Sequence, residues 1–243
     1  MINTYRFAQV NITISSVYDE VHRLCAGYLS AVDKTDFLVE TTQADIDFER
    51  MKSEREDKIQ GIPVRQFTDE YLETLAVYRK IAEKMPFYDT ILFHGSCVAV
   101  DGTGYLFTAR SGTGKSTHTR LWRKLLGDRA VMVNDDKPLI RVNENGALAY
   151  GTPWNGKHRL SSNIAVPLKG ICILRRAEEN IIHKITVQQA YPMLLQQVYR
   201  PADSEAMKQT LALIDKLAAK VNLWQLGCNK DIEAAVIAYE AMK

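Results

Sequence analysis

The chain has 243 residues, 46% of them hydrophobic and 25% charged, with a formal net charge of +2. That length supports one large domain or a domain plus a smaller lobe, and the composition is that of a folded globular protein, not a disordered or fibrous one. A charge so close to neutral, with no dominant Lys/Arg tract, argues against a nucleic-acid partner. The four cysteines, Cys25, Cys97, Cys172 and Cys228, are widely spaced with no C-x-x-C, so neither a zinc knuckle nor a disulfide framework is indicated. The opening "MINTYRFAQVNITISS" alternates polar and apolar residues where a signal peptide would show a continuous apolar run. No stretch has the length of a membrane span, and the expected location is the cytoplasm.

Taken in order, residues 5 to 15 alternate as a strand, Tyr18 to Leu29 have helical spacing, and "DFLVETT" suggests a further strand. From Asp45 to Lys58 the chain is dense in charges of both signs. Such a run is either a solvated helix face or loop, or a docking surface. Thr68 opens a helix carrying Leu72, Leu75, Ala76 and Ile81, and Pro86 ends it. A lobe boundary is placed here, giving an N-terminal α+β lobe over 1–85 and a second domain over 86–243.

Next, "ILFHGSCVAV" and "YLFTA" flank Asp101-Gly102, the chemistry of a tight β-hairpin turn. The second strand leads into "ARSGTGKST", and "STHTRLWRKLL" after it has helical spacing with Gly127 as its stop. "AVMV" is a short strand ending in "NDD", while "ALAYGTPWNG" and "GICILRR" read as further strands. Helices begin near Thr186, Asp203 and Asp231, with the strand "LWQLG" before the last; Thr186 and Gln189 fit a capping box. The expected fold class is α/β with a mixed sheet, since a hairpin feeds it and strands and helices do not alternate regularly.

The loop between strand and helix carries the chemistry. A phosphate-binding loop requires G-x-x-x-x-G-K-S/T in that setting, and the chain supplies Ala109 in place of the first glycine, then Gly114, Lys115 and Ser116. Inward-pointing backbone N–H groups must turn tightly with no Cβ in the way, which Gly112 and Gly114 allow. Ser111, Gly112, Thr113, Gly114, Lys115, Ser116 and Thr117 are therefore the candidate nucleotide-phosphate-binding residues. Lys115 would reach the outer phosphates, and Ser116 would ligate Mg²⁺. The alternative is a plain glycine turn with an exposed lysine.

Phosphoryl transfer also needs carboxylates for the metal and for the proton of the attacking hydroxyl. Asp135 and Asp136 follow Asn134 at a strand end, where a turn could bring both to one cleft; one would act as base and the other, Asp136, would join Ser116 on Mg²⁺. A turn-forming Asn-Asp pair before Pro138 is the plainer reading. His94 would sit near the phosphates or serve the structure alone. Lys157 and Arg159 could neutralise phosphate charge or lie on the surface. Trp154 could stack on a base or fill the core, and one of Arg175 and Arg176 is expected in an ion pair.

The order His94-Gly95, hairpin, Ser111 to Thr117, Asn134 to Asp136 resembles the catalytic domain of the HPr kinase/phosphorylase family, whose nucleotide-binding core is shared with phosphoenolpyruvate carboxykinases. The wider "SGTGKSTHTRLW", "NDDKP" and "GTPWNGK" is similar to a branch of small bacterial HPr-kinase-like proteins. The resemblance spans about residues 90 to 175. It implies ATP and Mg²⁺ as cofactors, Asp135 and Asp136 as paired catalytic aspartates, and His94 beside the γ-phosphate. It also implies a homo-oligomer. Thr117 stands where that family has an acidic residue, and "GTPWNGKHR" replaces its glycine- and arginine-rich signature, so the resemblance does not carry HPr over as acceptor. The resulting expectation is a kinase acting on a hydroxyl of a protein, peptide or small molecule. The alternative is a regulatory module that binds ATP without turning it over.

Overall fold

A computed structural model of the chain describes residues 1–32 and 34–243. It divides into two compact units, Met1–Lys84 and Met85–Lys243.

In the first unit, strands β1 (Ile2–Phe7) and β2 (Val10–Ser15) form an antiparallel hairpin, and β3 (Phe37–Glu40) adds parallel to β2. The alternation that reads as one strand over 5–15 is thus two strands. The turn at Ala8 and Gln9 has φ of 47° and 67°, a left-handed geometry with neither glycine nor asparagine to announce it. Tyr5, Phe7, Ile12 and Ile14 bury one face of this sheet, and helices α1 (Glu20–Cys25), α2 (Gln43–Gln60) and α3 (Asp69–Lys84) complete the unit. The charge-dense run lies within α2, and several of its charges are consumed internally. Arg79 of α3 reaches Glu49 at 2.5 Å and Asp45 at 3.3 Å, and fully buried Asp57 holds Arg65 at 2.6 Å.

The second unit is a mixed sheet between two helical layers. Its strands are β4 (Thr90–Leu92), β5 (Ser96–Val100), β6 (Thr103–Thr108), β7 (Ala130–Asn134), β8 (Leu139–Asn143), β9 (Gly146–Tyr150), β10 (Ala165–Arg176), β11 (Ile181–Lys184) and β12 (Asn222–Cys228). The order is β4-β8-β9-β10-β6-β5-β7, with β12 also on β10 and β11 on β12. The central strands read as nearly continuous apolar runs because both of their faces are buried. Cys97, Ala99, Leu106, Ile171 and Ile173 point to the layer of α5 (Val187–Gln197) and α6 (Ser204–Lys220). Their neighbours Val98, Phe107, Cys172 and Leu174 face α4 (Lys115–Leu126) and α7 (Ile232–Met242). "ILFHGSCVAV" does not form one strand. Its first part, β4, pairs with β8, while β5 pairs with β6 and β7, and Phe93-His94-Gly95 is the crossing between them.

Strand directions place the chemistry. β10 and β12 run parallel to β6, and β5 runs antiparallel to both β6 and β7. The carboxyl ends of β6, β7, β10 and β12, together with the amino end of β5, therefore lie along one edge of the sheet. Ligands of open α/β sheets bind outside such an edge.

Candidate functional site

Along that edge the glycine loop leaves β6 and enters α4. Gly114 is the residue before the helix, with φ of 124°, and Gly112 has φ of 75°. A Cβ on Gly112 would meet nothing within 4 Å, and one on Gly114 would meet only Thr117 at 4.0 Å. No packing demand explains these glycines. They supply a backbone conformation costly to other residues, and leave open space where a ligand could approach the N–H groups of the helix start. Ser111, Thr113, Ser116 and Thr117 line the same loop and first turn. The guanidinium of Arg176, at the end of β10, donates to the Gly112 carbonyl at 2.5 Å and so braces the loop from outside. No ion pair of Arg175 or Arg176 occurs among the described residues, and the expected one is replaced by this brace.

Lys115 is buried, with 8% of its surface exposed, and its Nζ donates to the Ala109 carbonyl at 3.1 Å. The lysine therefore folds back over the loop and is not the exposed side chain of a plain turn. Burial lowers its pKa, opposed by the nearby charges of Asp136 and Asp135.

The carboxylates reach the site because Asn134 turns the chain. Its side chain is fully buried; Oδ1 accepts from the N–H groups of Asp136 and Lys137 at 2.8 and 2.7 Å, while Nδ2 donates to the Thr152 hydroxyl at 2.9 Å. The asparagine is the turn former. The two aspartates that follow are not spent on the turn. Asp135, 5% exposed, accepts from the Ser96 hydroxyl at 2.7 Å, and Ser96 shares a 2.9 Å hydrogen bond with Thr119 of α4. This chain of hydroxyls ties the carboxylate to the first turns of the helix that begins at Lys115.

Asp136 lies 3.3 Å from His94 Nε2. Burial pushes its carboxyl up, but the His94 hydrogen bond and the charges of Lys137, His94 and Lys115 outweigh this and hold it below the ordinary carboxylate range. His94 is pinned by backbone on both sides: its N–H donates to Gln197 at 2.7 Å, and Thr108 donates to its carbonyl at 3.0 Å. Gly156 packs its backbone against Asp136, where a Cβ would sit 3.0 Å from the aspartate Cβ. That contact brings the "WNGKHR" loop to the site's border, though Lys157 and Arg159 themselves are exposed. Trp154 is 5% exposed and belongs to the interior.

Ser96 and Thr119, which hold Asp135, and Arg176, which braces the glycine loop, are contacts of the candidate site that motif reading does not give. Their traces in the sequence are a hydroxyl opening an apolar strand, another one turn beyond Lys115, and an arginine at the end of β10. Among the described residues no group of three or more His, Cys, Asp or Glu side chains could by itself hold a metal ion. One hydroxyl and one or two carboxylates do suit Mg²⁺, which keeps several water or phosphate oxygens in its shell. No helix among the described residues is long and apolar enough to cross a membrane.

A mixed α/β sheet layered by helices, with a glycine loop, a buried lysine and paired carboxylates gathered on its carboxyl edge, defines the class of protein. Within it, the chain belongs to the ScmC family, described as SynChlorMet cassette protein ScmC, whose model matches residues 64–228. No curated protein matches the chain. Among solved structures, the Hpr(Ser) kinase/phosphatase from Coxiella burnetii aligns over 62% of this chain and 95% of its own, at 10% identity and a TM-score of 0.35.

Proposed function

We propose that this protein is an ATP- and Mg²⁺-dependent phosphotransferase that moves the γ-phosphoryl group to a hydroxyl. The observation that carries the reading is a buried Lys115 folded over a loop whose two left-handed glycines leave their Cβ positions empty, with the charges of Asp136 and Asp135 nearby. The N–H groups of Ser111 to Thr117 would cradle the phosphates and Lys115 would hold the outer ones. Ser116 and one carboxylate would hold Mg²⁺, which supplies charge neutralisation at the phosphate oxygens. The other carboxylate accepts the proton of the attacking hydroxyl. His94, bonded to Asp136, orients that carboxylate. Catalysis of this kind is chiefly positioning and charge stabilisation, which suits side chains as tightly held as Asp135 and His94.

The experiment is transfer of label from γ-³²P-ATP with Mg²⁺ into a lysate separated into macromolecules and metabolites. Label should appear in one fraction with the wild type, and fall by at least about a hundredfold with Asp135→Asn and with Lys115→Ala. ATP that binds while no label moves would sink the transferase reading in favour of a regulatory module. The labelled fraction would name the class of acceptor.

A further inference from the structure

Beyond the glycine loop the same sheet edge continues into a cavity of about 510 Å³, between Gly112–Gly114, the end of β10 at Leu174 and Arg176, and the end of β12 at Cys228–Lys230. Its volume is in the range of small-molecule sites. Its wall beneath the loop is His118, 2% exposed. The indole N–H of Trp122, one turn along α4, donates to His118 Nε2 at 3.0 Å. A neutral imidazole that accepts at Nε2 carries its proton on Nδ1. That Nδ1 is buried and without a hydrogen-bond partner. Burial also pushes the His118 pKa down to about 4, so near neutral pH the ring stays an uncharged donor. An orphan buried donor is costly, and this one belongs to a residue that lines the cavity.

The opposite rim is preorganised. Asn229 donates from Nδ2 to the Glu178 carbonyl at 3.0 Å, accepts at Oδ1 from Asp231 N–H at 3.0 Å, and donates its own N–H to Asn180 at 3.0 Å. Its polar atoms are thus committed to holding the strand end in place. Leu174, Ala177 and Cys228 add apolar surface, and Arg176 and Lys230 add positive charge.

We propose that this cavity receives the base and ribose of the nucleotide, with the Nδ1–H of His118 as the buried donor to an acceptor atom of that nucleoside half. The assignment rests on the phosphate-loop reading above and extends it along the edge from β6 to β12. The two can fail separately. Cys228 provides the reporter: Cys25, Cys97 and Cys172 are buried, and Cys228 alone of the four is partly exposed.

The test measures binding of Mg²⁺-ATP and of Mg²⁺-tripolyphosphate, which has the phosphates and no nucleoside, together with the rate of Cys228 alkylation by N-ethylmaleimide; Cys228→Ser identifies the labelled site. Both ligands should bind. ATP should slow alkylation at least tenfold and tripolyphosphate less than twofold. His118→Gln should weaken ATP about tenfold while leaving tripolyphosphate binding unchanged. ATP that binds without protecting Cys228, or tripolyphosphate that protects it equally, would overturn the nucleoside site while leaving the phosphate loop standing. A wild type that binds neither ligand would bring down the phosphate-loop reading itself, and this inference with it.

Discussion

Asn134 sets the direction of the two carboxylates behind it. It is fully buried, and its amide is engaged at both ends, receiving two backbone N–H groups and donating to Thr152. Asn134→Ala removes these bonds without removing a charge, and it should destabilise the protein by roughly 2–4 kcal/mol. Urea unfolding would show this as a lower midpoint at unchanged slope. A loss below about 0.5 kcal/mol would mean that the turn is held by other means. Two titrating groups make further residue-scale predictions, in different pH windows. Asp136 has a folded pKa below its ordinary value of 3.8, so its ionised form stabilises the fold. That contribution is fully present above the unfolded pKa and is lost as pH falls through the folded one, so it should begin to fall away below about pH 4 in wild type and be absent from Asp136→Asn. His118 acts at higher pH, its pKa depressed from 6.5 to about 4 by burial. Between those values the unfolded chain takes up a proton that the folded one refuses. Stability should therefore fall as pH drops from about 6.5 to about 4, by at most roughly 3 kcal/mol. His118→Gln keeps an acceptor for Trp122 and lacks the titration, so its urea midpoint should fall less over that window. Equal slopes for the two proteins would show that the ring is already protonated in the fold.

At the scale of elements, glycines sort into two kinds that sequence alone does not separate. Gly151, just after β9, would place a Cβ 1.9 Å from the Ser162 carbonyl oxygen and 2.6 Å from that of Val133. Those are backbone atoms that hold the neighbouring ladder, so Gly151→Ala should cost several kcal/mol, on the order of 3, and lower the melting temperature markedly. Gly112 has open space around it, so Gly112→Ala should cost only the left-handed backbone penalty of about 1–2 kcal/mol. Its larger effect should fall on ATP affinity, where the new methyl would crowd the cradle. Calorimetric melting and ATP titration of both variants check the pair; equal stability losses would refute the distinction. The elements that were legible have strong local chemistry: the Asp101-Gly102 turn, the Thr186–Gln189 capping box, the Gly127 stop and the glycine loop itself. What was hidden has none. Ala8-Gln9 turns the chain without a turn former, and nothing around His94-Gly95-Ser96 tells that the apolar stretches on either side pair with different strands. Strand β11, with its exposed "IIHK", shows neither burial nor alternation enough to mark it. His118 and Trp122 did carry a signal, since residues four apart on a helix are neighbours, but only the buried orphan nitrogen gives that pairing a use.

For the molecule as a whole, all the candidate phosphate-site residues fall in the unit Met85–Lys243. That unit has its own core on both faces of its sheet, from Leu106 and Ile171 on one side to Phe107 and Trp122 on the other. Met1–Lys84 has a separate interior built on Tyr5, Phe7, Ile12, Leu72 and Ile81, and none of the candidate catalytic residues lies in it. On the proposed function, the first unit is expected to choose the acceptor, since none of the candidate catalytic residues lies in it. Residues 85–243 expressed alone should therefore unfold cooperatively and bind Mg²⁺-ATP within about threefold of the full chain, since independent cores make largely additive contributions. Transfer to the acceptor found with the full chain should drop by at least about tenfold, while slow hydrolysis of ATP by water, if the full chain shows it, should persist. A fragment that labels the same acceptor at the full rate would remove the first unit from substrate choice. A fragment that folds and no longer binds ATP would show that the nucleotide site is incomplete without residues 1–84.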